Sequence, residues 1–165
     1  MPNWDESLID LHRRKLQDLR RRAAEALQQL GDEDVNWRPN EQSNSVANLV
    51  VHMAGNLRQR VASGIGGAAD IRDREAEFSP RLYLSRDRLL EVLDEAFAGA
   101  DRTLGAMTPA QLRGPQRLHN REVTVLEVLF MVANHISEHV GQILYAAKLR
   151  RGPVYRTLST PHRPR

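Results

Sequence analysis

From Asp5 to Leu30 apolar residues recur at helical spacing. Leu8, Leu16, Leu19, Ala23, Ala26 and Leu30 fall on one face, and Arg13, Arg14, Lys15, Arg20, Arg21 and Arg22 cover most of the rest. Gly31 ends that helix, and residues 31 to 45 read as a loop containing Trp37 and Pro39. Three more helical stretches follow. The second spans about Val46 to Ala62 behind a capping Ser45 and is ended by SGIGG at 63–67. The third runs from Arg86 to Leu104 behind Ser85, burying Leu89, Leu90, Leu93, Ala96, Phe97 and Ala100. The fourth opens on Thr124 and Glu127 in a capping box and continues to about Leu149, before Gly152 and Pro153. Helices with one apolar face must bury it against one another, so the expected fold is all-α, a four-helix bundle with longer crossover connections. A short hairpin or irregular loop fits between Gly105 and Glu122. Residues 1–150 form the expected domain, and 151–165 a basic tail.

The second helix has an unusual surface. Its only charges are Arg58 and Arg60, while Asn48, His52, Asn56 and Gln59 form a polar column among valines, leucines, Met53 and Gly55. A helix with so little charge is largely buried, so that column is expected to face a cleft. On the fourth helix, His135 and His139 in NHISEHVGQI lie one turn apart, about 40° around the axis. Their neighbours Val128, Met131, Val132, Gln142, Ile143 and Ala146 mark the face as inward. An inward histidine taken alone is more often a core residue with ordinary hydrogen bonds; two on one apolar stripe are harder to satisfy that way.

With His52 as a third ligand from another helix, the set suits a divalent transition metal, foremost zinc or nickel, with iron or cobalt possible. The fourth position would be left to water or substrate. Asn48, Asn56 and Gln142 are pocket candidates, and Glu138 is a weak candidate catalytic residue, as an acceptor or proton shuttle beside the ligands. In HISEH, Ile136 stands where HExxH proteases carry their glutamate, which argues against that chemistry. His12 also faces inward, but if the first two helices are antiparallel neighbours it lies roughly 16 Å along the axis from His52. His119 and His162 are expected in solvent. DIRDREAEF at 70–78 reads as a solvated, salt-bridged surface, and SGIGG as a helix stop rather than a phosphate loop.

Charge and composition narrow the function further. The net charge of +3 comes from the last sixteen residues, which hold Arg150, Arg151, Arg156, Arg163 and Arg165 and no acid, leaving the body slightly negative. No nucleic-acid partner is expected. Cysteine is absent, so there is neither a disulfide framework nor a thiolate ligand. No apolar run approaches the ~20 residues of a membrane span and the opening residues lack a signal-peptide core, so the expectation is a cytoplasmic protein without a membrane partner.

The segments NSVANLVVHMAGNLRQRVASGIGG (44–67), DIRDREAEF (70–78) and TVLEVLFMVANHISEHVGQILYAAK (124–148), with their three histidines, resemble the DinB-like superfamily of bacterial proteins, which includes YfiT-type members. The resemblance is nearest to a subgroup of unknown function. It implies a four-helix bundle, often a homodimer, with metal ligands at His52, His135 and His139. It also implies a small-molecule substrate and, by analogy with thiol-dependent relatives, a transferase using a low-molecular-weight thiol cosubstrate. A metal-dependent hydrolase and a non-catalytic metal-binding or interaction protein are the alternatives.

Overall fold

A computed structural model describes residues 4–118 and 120–158. His119, His162, Arg163 and Arg165 lie outside the described residues, so the expectations for those histidines and for the end of the tail are not addressed by it. Four long helices dominate: α1 (Trp4–Leu27), α3 (Val46–Leu57), α5 (Arg86–Gly105) and α6 (Val125–Arg151). Two short helices, α2 (Asp32–Asn36) and α4 (Arg74–Glu77), lie in the connections between them. The strands β1 (Pro115–Leu118) and β2 (Arg121–Thr124) form an antiparallel hairpin in which Pro115 pairs with Thr124 and Leu118 with Arg121. Among the described residues, no helix is long and apolar enough to cross a membrane.

The starts of the helices follow local chemistry. Ser45 accepts from the Asn48 amide, Ser85 from that of Arg88, and Thr124 from that of Glu127. In return the Thr124 amide donates to the Glu127 carboxylate at 2.7 Å, completing the expected box. The basic last turn of α6, with Lys148, Arg150 and Arg151, meets the negative end of its dipole. Two boundaries differ from expectation. α1 ends three residues early, because Asp32, Glu33 and Asp34 favour the start of the separate helix α2. After Leu57 the second helix widens into a π-helical turn over Arg58–Ser63, in which the Gly64 amide reaches back to the Gln59 carbonyl.

α1 packs against α5 and α6, and α3 packs against the same two helices, so α1 and α3 occupy diagonal corners. The long connections cross the ends of the bundle to make this arrangement. The assumption that the first two helices are side-by-side neighbours is therefore corrected. His12 is not in the histidine cluster, and its Nδ1–H donates to the Leu8 carbonyl at 2.8 Å. The core runs the length of the bundle, with Leu19, Leu27, Met53, Leu57, Leu93, Leu104, Leu129 and Ile136 almost wholly enclosed. Every residue of α3 except Val51 and Asn56 is buried, as its missing charges required.

Candidate metal centre

α3 and α6 bring His52, His135 and His139 together. Each ring offers a nitrogen within 4.8 Å of those offered by the others, and ring centroids are 4.4 to 5.0 Å apart. His52 is buried and the other two are half-buried. The reason lies in the packing stripe of α6, where Leu129, Val132, Ile136, Val140 and Ile143 are enclosed. His135 and His139 each precede a stripe residue by one position, about 100° around the axis, so they sit on its flank. The expected inward face is shifted accordingly, and Met131 and Gln142 are exposed.

For two of the rings, His52 and His139, the far side shows which nitrogen carries the proton. Nδ1 of His52 lies 2.8 Å from Glu77 Oε2. A carboxylate only accepts, so this shorter contact places the hydrogen on Nδ1 and turns the Nε2 lone pair inward, and Arg72 Nη2, 3.2 Å from the same Nδ1, donates to Glu77 Oε2 at 2.8 Å instead. Nδ1 of His139 lies 2.8 Å from Gln142 Oε1, leaving its buried Nε2 as an acceptor without a protein partner. Nε2 of His52 meets Nε2 of His135 at 2.9 Å.

Glu77 and Arg72 belong to the connector that was read as solvated surface, and here that reading is corrected. Their side chains are 4% and 7% exposed, as buried as the core, because the chain folds back across α3 at Gly55. Arg72 Nε and Nη2 clamp the two Glu77 oxygens at 2.7 and 2.8 Å, and its Nη1 donates to Gln59 Oε1 at 2.9 Å. A Cβ on residue 55 would fall on the Glu77 carboxylate, so only glycine admits this approach. Phe78 covers the His52 ring at 4.6 Å. The one available signal was Gly55 itself, a costly residue inside a buried helix.

The expected pocket residues separate. Asn56 lines the cleft beside His52, and its buried Oδ1 has no hydrogen-bond partner among the described residues. Gln142 holds His139, as described. Asn48 is fully enclosed and its amide is committed elsewhere: Nδ2 donates to the Glu77 and Ser79 carbonyls at 2.9 and 3.1 Å, and Oδ1 accepts from Arg38 and from the Ser45 hydroxyl. It anchors the connector to α3 instead of lining the cleft. Glu138 is exposed on α6 and does not line the cleft of His52 and His135.

A family described as a protein of unknown function, DUF1572, matches residues 3–164. The chain belongs to that family. Two solved structures are similar to this DUF1572 protein. One is a conserved protein from Enterococcus faecalis, at 19% identity and a TM-score of 0.70, covering 85% of this chain and 95% of that one. The other is a DinB-like protein from Bacillus cereus, at 15% identity and a TM-score of 0.66, covering 82% and 90%. No curated protein matches the chain. The DinB-like fold implied by the resemblance is the fold observed.

The donor set of this DUF1572 protein fits a transition-metal ion. Two of the three rings have their outer nitrogen held by an acceptor, which turns lone pairs inward, and the unpartnered His139 Nε2 is such a lone pair. His52 and His135 are also held neutral. Burial pushes His52 below the usual histidine range against the opposing pull of Glu77, so their contact is a hydrogen bond rather than an ion pair. Burial, His139, His52 and the nearby Arg72 and Arg60 push His135 down to about 4. Neutral imidazoles are the form that ligates. His52 and His135 open onto a cleft of about 620 Å³, lined by Asn56, Gln59, Arg60, Arg72 and Arg74 from the second helix and the connector and by Leu118, Val128, Met131 and Val132 from β1 and α6.

Proposed function

We propose that this protein is a metal-dependent enzyme acting on a small molecule, foremost a thiol-dependent transferase. His52, His135 and His139 would hold the ion, zinc or nickel by donor chemistry. When bound, such an ion acts as a Lewis acid that lowers the pKa of a thiol or water beside it. Glu77 fixes the His52 tautomer, Arg72 holds Glu77 in place, and Gln142 orients His139. The observation that carries the reading is the convergence of three imidazoles, two with their outer nitrogens tied back, of which His52 and His135 line a cleft large enough for a small substrate.

The test begins with elemental analysis of untagged protein purified without a nickel column. The parent is expected to carry close to one metal per chain and His52→Ala a small fraction of that; equal trace amounts in both would remove the reading. The metal-loaded protein is then incubated with an electrophile and a panel of cellular thiols. Metal-dependent product formation supports the transferase, whereas saturable binding without product makes the protein a binding module.

A further inference from the structure

The side of the cleft away from the apolar wall carries more positive charge than its structure uses. Arg72 is committed to Glu77 and Gln59. Arg60 and Arg74 also line the cleft, and among the described residues neither has a carboxylate within ion-pair distance. The carboxylate acting on Arg60 is Asp70, whose oxygens are taken by the Gln59 side chain at 2.8 Å and the Arg72 amide at 3.1 Å. Arg74 lies over the Phe78 ring at 5.3 Å. Arg60 is half-buried, so its guanidinium gives up part of its hydration, and Asp70 acts on it from beyond ion-pair distance with no carboxylate in direct contact among the described residues. On the helix between His52 and Arg60, the buried Oδ1 of Asn56 is an acceptor without a donor among the described residues. An unpaired guanidinium in a partly dry cleft, beside an unfilled acceptor and opposite an apolar wall, is the complement of a particular kind of molecule.

We propose that the cleft takes a small organic anion: Arg60 and Arg74 hold its carboxylate or phosphate, Asn56 Oδ1 accepts from a neighbouring donor, and Leu118, Val128 and Val132 cover its apolar part. The inference rests on the cleft being the substrate site of the proposed enzyme, and it gives that enzyme a substrate class. Cleft charge selects the ligand, and the histidine cluster lies within reach of whatever is bound.

Calorimetric titration with four probes tests this: phenylacetate, phenyl phosphate, mandelate and the neutral phenylacetamide, each added to zinc-loaded and to metal-stripped protein. The anions are expected to bind at least about tenfold more tightly than the amide in both forms, the scale of one hydrogen bond to a charged group. Arg60→Gln and Arg74→Gln are each expected to lose roughly that factor while retaining zinc stoichiometry and helical content, and Arg60→Lys to recover part of it. Asn56→Ala should erase the advantage of mandelate, with its hydroxyl, over phenylacetate. Whether phosphate or carboxylate binds better identifies the anionic group.

Equal affinity for phenylacetate and phenylacetamide, or folded arginine variants that bind as the parent does, would overturn the proposal. The two readings fail separately. Arginine-dependent anion binding to a protein that takes up no zinc would leave this inference standing and remove the metal; stoichiometric zinc without anion preference would do the reverse.

Discussion

His52 ligates through Nε2 only if Nδ1 keeps its hydrogen, and the Glu77 carboxylate at 2.8 Å enforces that. Glu77→Gln keeps the shape but offers an amide that can donate to Nδ1, which would move the hydrogen to Nε2 and block the ligating lone pair. It also removes the charge that Arg72 clamps. Zinc affinity is expected to fall by about 10- to 100-fold, the usual cost of losing the partner behind a ligand, as read by competition with a chromophoric chelator. An unchanged affinity would reduce Glu77 to a packing residue. At this scale the three histidines were legible in the sequence and the residues that hold them were not. His135 and His139 are related by helix geometry, which is local and visible in spacing. Glu77 meets His52 only because of the path the connector takes, and alternating charges look the same whether that path crosses a helix or runs through solvent.

Helices α1, α3, α5 and α6 were legible because apolar periodicity and capping residues are written in contiguous stretches. The π-helical turn and the packing of α4 were not, since both depend on what crosses α3 from outside. Gly55 tests that crossing. Alanine in a helix interior usually gains roughly 0.5–1 kcal/mol over glycine, but here its Cβ would occupy the place of a carboxylate pinned by Arg72 and His52. Gly55→Ala is therefore expected to lower the melting temperature, by an overpacking cost of about 1–3 kcal/mol, and to weaken zinc binding with it. A rise in melting temperature with zinc affinity intact would show that the carboxylate can move aside at no cost.

For the molecule as a whole, the bundle class followed from the number and length of the helices. The diagonal placement of α1 and α3 did not, because both neighbouring and diagonal arrangements bury the same faces. Global stability should report the buried imidazoles. Unfolded histidines take up protons near pH 6.5, whereas His135 in the fold resists until about 4, so between those values the unfolded chain binds more protons. The metal-stripped protein is expected to hold this part of its stability above pH 6.5 and to lose it progressively as pH falls toward 4. Denaturant titrations of the parent and His135→Gln at pH 7 and pH 5 measure the difference, and an equal pH penalty in both would refute the assignment.

His52 and His135 stand 83 residues apart in the chain, and the contact between them exists only after α6 has docked on α3. A nascent chain has made His52, Glu77 and the whole connector well before the last helix emerges, yet it holds one histidine of the three. The complete binding site is thus a late event in the life of the molecule, assembled when the last helix closes the bundle. On the proposed function, metal uptake at all three histidines is in this way a record that folding has finished.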